Sequence, residues 1–127
     1  ISGPLKKKGP SRIISVKNAL HSVRPITLEV LGYGYKDVYF QALFLKIKKT
    51  KELIHLKKIL DRELGLTTAG YFPHISLFYG KESKDNKSKI IKSLPSAPKK
   101  LILDKICLVD VDECIESWKI RKKFPLN

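Results

Sequence analysis

Tyr71-Phe72-Pro73-His74-Ile75-Ser76-Leu77-Phe78-Tyr79-Gly80 decides how this chain is read. The stretch predicts a strand in which a histidine and a hydroxyl residue two places later point the same way. Side chains alternate across a strand, so His74, Ser76 and Phe78 are expected on one face and Ile75, Leu77 and Tyr79 on the other. Histidine exchanges a proton near neutral pH, and a hydroxyl can bind an oxyanion. Together they would supply half of what a phosphoryl-transfer site needs.

Upstream of this strand, Thr50 caps an expected helix with Leu53, Leu56, Leu60 and Leu64 on one face and Gly65 as its stop. Before that helix, Val38 to Ile47 is apolar on both faces and reads as a central strand. It is reached from a strand at Ile26 to Leu31 through a turn over Gly32-Tyr33-Gly34-Tyr35-Lys36-Asp37. Ile13, Val16, Leu20 and Val23 recur at helical spacing, which predicts a helix over Arg12 to Val23 with Ser11 as N-cap and Pro25 as breaker. Downstream, Ser83 to Leu94 predicts a lysine-rich helix. Leu101 to Val111 and Ser117 to Phe124 predict a hairpin across Asp110-Val111-Asp112-Glu113. The order is helix, two strands, helix, strand, helix, two strands, and it predicts an α+β fold with helices packed on antiparallel sheet.

At 127 residues and 43% hydrophobic content the chain is expected to form one domain, residues 1–127, with a substantial core. No apolar run is long enough to cross a bilayer and the first residues are not a secretory signal, so a cytoplasmic or nuclear protein with no membrane association is expected. Twenty-six Lys and Arg against 12 Asp and Glu give a net charge of +14, which favours polyanionic partners. The basic clusters are scattered, which suits a general field better than a sequence-reading surface. Cys107 and Cys114 are too few for a disulfide framework or a zinc site, and the thiols are read as free and buried.

Of the three histidines, His55 falls nearly opposite the leucine stripe of its helix and His21 lies off the apolar face of the first, so both read as solvated. A His-x-Ser pair in a strand recurs by chance; its flanking residues give it specificity. Phe72-Pro73-His74-Ile75-Ser76-Leu77-Phe78-Tyr79-Gly80 resembles the second signature of the two-histidine (2H) phosphoesterases. It is most similar to the eukaryotic 2′,3′-cyclic nucleotide phosphodiesterase branch, where Pro-His-x-Ser-Leu-x-Tyr-Gly is typical. The Pro25 to Leu31 strand, the Tyr39 to Ile47 strand, the leucine helix and the closing Trp118-Lys119 to Phe124-Pro125-Leu126 strand come in family order.

The resemblance implies a two-lobed fold of antiparallel sheets flanked by helices, with one His-x-Thr/Ser strand in each lobe. This chain departs from the pattern in holding one such motif. Ile1-Ser2-Gly3-Pro4-Leu5 resembles the end of a first motif, and the residues just after it, in the form Pro-His-Ile-Thr-Ile-Ser-Gly-Pro-Leu. The expectation is that Ile1 ends that motif and that a strand, a helix and the motif strand, roughly 40 residues by ordinary element lengths, precede it.

By the resemblance, the activity is metal-independent hydrolysis of 2′,3′-cyclic phosphates on nucleotides or RNA ends, carried out by a monomer without a cofactor. His74 would transfer a proton and Ser76 would donate to the phosphate. Tyr79 would hydrogen-bond the phosphate or, by its alternation, pack in the core. Tyr71 or Phe72 would stack a base or pack in the core. The rival expectations are a catalytically inactive RNA-binding module of the same fold and a basic nucleic-acid-binding protein of another fold.

Overall fold

The computed structural model describes residues 10–36, 42–67, 70–78, 83–110 and 118–127. The described elements, in chain order, are α1 (Pro10–Leu20), β1 (Ile26–Gly34), β2 (Leu43–Ile47), α2 (Lys51–Leu64), β3 (His74–Phe78), α3 (Lys84–Ser93), β4 (Lys100–Leu103), β5 (Lys105–Asp110) and β6 (Lys119–Pro125). The fold is α+β, with antiparallel sheet and three helices among the described residues. They form two compact units. The first holds α1, α2, β5 and β6; the second holds β1 from Thr27 onward, β2, β3, α3 and the first two residues of β4. No helix among the described residues is long and apolar enough to cross a membrane.

In the first unit, Val16 and Leu20 of α1 and Leu53, Leu56 and Leu60 of α2 are buried, and the two helices pack together. β5 and β6 pair antiparallel from Lys105↔Pro125 to Asp110↔Lys119. The chain end is tied down by Leu126 N–H to the Asp104 carbonyl (2.8 Å) and Asn127 N–H to the Val23 carbonyl (2.9 Å). α2 ends as its glycine predicts. Gly65 takes a left-handed φ of 68°, and Leu66 N–H reaches back to the Asp61 carbonyl at 2.8 Å.

Lys57, whose charge adds to the basic balance of the sequence, is buried on α2. Its ammonium lies 2.9 Å from Asp61, one turn on, and the two side chains are 8% and 2% exposed. The i,i+4 spacing lets the pair neutralise itself inside the core, where a lone lysine would be costly.

In the second unit the strand order is β3-β2-β1-β4, so β2 is central, as its two apolar faces predict. α3 begins where expected, at an N-cap Ser83 whose Oγ accepts the Asn86 N–H (3.2 Å). Four expectations need correction. α1 starts at Pro10, which suits a first helical turn because proline lacks an N–H and has its φ already set, so Ser11 lies within the helix. It ends at Leu20, with His21 and Val23 N–H groups turned back onto the Asn18 and Leu20 carbonyls.

Gly32-Tyr33-Gly34 is strand rather than turn. Gly32 has φ 122°, and the register steps from Val30↔Ile47 to Gly32↔Lys46, making Leu31 a bulge that the ladder survives. The expected Leu101–Val111 strand breaks at Asp104. Its first part joins the larger sheet as β4 and its second pairs with β6 as β5.

The fourth correction concerns Phe78. Ser76 pairs with Phe44, but Phe78 pairs with Leu43, so Leu77 is an extra residue and Phe78 leaves the His74 face. Phe78 instead lines an apolar cavity of about 360 Å³ with Leu77, Leu43, Leu45, Tyr33, Ile90 and Leu94. Tyr33 closes one side by donating its hydroxyl to the Pro95 carbonyl at 2.8 Å.

Val38 to Gln41, Val111 to Ser117 with Cys114, and the stretch around Ile1 lie outside the described residues.

Candidate active site

The site is built on the face of the second unit's sheet that turns away from this cavity. Antiparallel register sets the layout: Lys46 stands opposite His74, and Phe44 opposite Ser76. Directly opposed residues share a face, with Cβ atoms about 4.5–5.5 Å apart. His74 and Ser76 are both half-buried, while Ile75 and Leu77 between and after them are exposed. Two residues along a strand span about 6.6 Å, close enough for one phosphate to meet both side chains.

Pro73 shapes the entry to β3. It is buried, it cannot donate, and its carbonyl takes the Ile47 N–H at 3.2 Å, which anchors the strand start to β2. The residue before a proline is held extended. Phe72 therefore presents its carbonyl to the imidazole two residues later, and His74 Nδ1 lies 2.8 Å from it.

A carbonyl can only accept, so Nδ1 carries the proton and donates it. The neutral ring then has a bare Nε2, ready to take a proton. The protonated ring has Nε2–H, ready to give one. Among the described residues Nε2 meets no hydrogen-bond partner.

Aromatic rings fix the plane of the imidazole. Phe72 stacks on it at 5.2 Å between centroids and 25°, and Phe44 meets it edge-on at 5.6 Å and 64°. The two phenyl rings meet each other at 5.3 Å and 86°. Phe44 is 2% exposed and cannot move without disturbing the sheet.

Gly34 explains how so large a ring fits. A Cβ there would lie 2.7 Å from Phe44 Cε2 and 3.2 Å from Lys46 Cδ, so only glycine leaves space for both.

Behind Phe72 a third contact holds the ring: the Lys36 ammonium sits 3.9 Å from its centroid. Lys36 is fixed in turn by Lys87 of α3, a lysine only 1% exposed whose ammonium donates to the Lys36 carbonyl at 2.7 Å. A chain of contacts thus runs from α3 to His74. Phe72, expected to stack a base or pack in the core, packs against Phe44, Lys36 and His74 itself. Tyr71 is half-buried, and burial pushes its phenol above the ordinary value of 10.0, so its hydroxyl stays protonated at neutral pH.

Tyr79 lies outside the described residues. His21 and His55 are exposed, on the residue after α1 and on α2. No three His, Cys, Asp or Glu side chains cluster as metal ligands would among the described residues. Cys107 is a free, half-buried thiol.

Of the residues named from sequence, the structure brings His74, Ser76 and Phe72 together. It adds Phe44, Lys46, Gly34, Lys36 and Lys87. Phe44 could have been found from the central-strand pattern, but Lys36 and Lys87 could not, because 51 residues separate them and nothing local marks either. No protein-family model matches the chain, and no curated protein is significantly similar to it.

Proposed function

We propose that this protein is a 2H-type phosphoesterase that hydrolyses 2′,3′-cyclic phosphates on nucleotides or RNA ends through His74, without a metal or cofactor. It would act as a monomer in the cytoplasm or nucleus. The observation that carries the reading is the 2.8 Å bond from His74 Nδ1 to the Phe72 carbonyl, which reserves Nε2 for chemistry beside the Ser76 hydroxyl. The Pro73-His74-Ile75-Ser76-Leu77 motif and the +14 charge support the same reading.

In the reaction, a water oxygen bonds to phosphorus, the bond to the 2′ or 3′ ribose oxygen breaks, and that oxygen ends as a hydroxyl. One group must take the water's proton and another must supply one to the leaving oxygen, each step being worth about 10²–10⁴ in rate. His74 Nε2 serves in one of these roles. Ser76 Oγ donates to a phosphoryl oxygen as charge develops there. The second proton-transfer group is not among the described neighbours of His74. That, with the charge, favours one alternative: an RNA-end-binding module of the same fold.

The test is turnover of a nucleoside 2′,3′-cyclic phosphate in excess EDTA by the parent and by His74→Ala. Turnover that survives EDTA and falls by about 10²–10⁴ in the variant is expected for a proton-transfer histidine. Absent turnover in the parent, with salt-sensitive RNA binding that ignores His74→Ala, would establish the binding module instead.

A further inference from the structure

The His74 face carries cations that the acid/base chemistry does not use, and the structure treats them differently. Lys36 is committed to the Phe72 ring at 3.9 Å. Lys48 is paired with Glu29 at 3.2 Å. Lys46 lies between these cases. It stands directly across from His74 in register and its side chain is exposed. Among the described residues no carboxylate pairs with it.

The strand beyond Lys46 has been kept clear of side chains. Gly32 is its cross-strand partner on β1, and a Cβ at Gly32 would meet nothing within 4 Å. Gly34 is the next on that face, and its missing Cβ makes room for the Lys46 stem, whose Cδ passes 3.2 Å from that position. Gly32 therefore leaves open surface beside Lys46, while the space over Gly34 is shared by the Phe44 ring and the Lys46 stem. Lys46 itself stands one cross-strand spacing from His74; its stem passes on the β1 side, and turning this exposed, rotatable chain toward β3 brings its ammonium to a phosphate held at His74.

We infer that Lys46 is the phosphate-binding cation of this site, contacting the phosphoryl oxygens of a ligand whose reacting edge lies at His74 Nε2 and Ser76. The inference rests on the proposed phosphoesterase reading for the identity of the ligand. It concerns binding, however, and is measured without turnover. Lys46 neither donates nor accepts the reacting proton. Its contribution is charge held next to the phosphate.

The probe is adenosine 2′-monophosphate, titrated by calorimetry into the full chain and into Lys46→Met, Lys46→Arg and Lys48→Met. Methionine keeps most of the stem and removes the charge; the exposed position makes unchanged thermal unfolding the expected control. Loss of a charged hydrogen bond should weaken binding about tenfold or more in Lys46→Met. Lys46→Arg should recover most of that, the salt dependence of binding should flatten in Lys46→Met, and Lys48→Met should stay within about twofold, as expected of an exposed, already paired lysine.

Parent-like affinity in Lys46→Met, an equal loss in Lys48→Met, or no binding by the parent at millimolar nucleotide would each overturn the inference. Lys46-dependent binding by a parent that hydrolyses no cyclic phosphate would uphold it while removing the hydrolase reading. His74-dependent turnover with Lys46-independent binding would do the reverse.

Discussion

The two faces of the larger sheet are made by the same strands and have opposite characters. On one, Leu43, Leu45, Leu77 and Phe78 line an apolar cavity with Ile90 and Leu94 of α3 and its C-cap. On the other, His74, Ser76, Phe44 and Lys46 stand in register, with two glycines where β1 would otherwise add side chains. Strand alternation alone creates this division, and the two bulges adjust it. The bulge at Leu77 matters most, because it hands Phe78 to the apolar side and takes its ring off the His74 face. One face stabilises; the other carries the proposed ligand site.

The division can be broken from either side. Leu45 is 7% exposed, and Leu45→Ala should lower unfolding free energy by about 2–5 kcal/mol in a denaturant titration. Activity per folded molecule should not change. A variant that unfolds normally but loses turnover would mean the faces do not separate the two duties.

Gly34→Ala should join the two effects. Its new Cβ would press on Phe44, the ring that braces the imidazole, so a cost of about 1–3 kcal/mol is expected together with reduced turnover. Loss of stability without loss of turnover would show that Phe44 does not position His74.

Ser83→Ala removes the α3 cap and should cost about 1 kcal/mol by thermal unfolding, with turnover unchanged.

The smallest effect concerns pH. Tyr71 holds its proton more tightly when folded, so the folded state binds more protons above the phenol's ordinary 10.0, and stability should fall as pH rises beyond that value. Tyr71→Phe should make this alkaline decline shallower. An unchanged slope would count against burial of the phenol.

Much of this layout could be read from residues. The leucine spacing and Gly65 mark α2, Ser83 marks the start of α3, and the His74-Ile75-Ser76 alternation is recovered as written. The misses share a physical cause. Gly32 signals a positive φ, and either a turn or a bulge satisfies it; only pairing with β2 chooses the bulge. The split at Asp104 is likewise decided by partners, since β4 and β5 join different sheets. The burial of Lys57 and Lys87 was not legible either, because charge says nothing about burial until Asp61 or the Lys36 carbonyl is brought within reach. Within the site, the histidine and serine were legible from spacing. Phe72 was named too, though not as the ring stacked on the imidazole; Phe44, Lys36 and Lys87 were not, because they come from distant parts of the sequence.

The most direct measurement is the nitrogen spectrum of the imidazoles in ¹⁵N-histidine-labelled protein, recorded at a pH where the rings are neutral, with and without adenosine 2′-monophosphate. The account predicts that His74 carries its proton on Nδ1, that nucleotide moves its Nε2 signal, and that His21 and His55 are left in place. A proton on Nε2 of His74, or nucleotide shifts confined to His21 or His55, would contradict it.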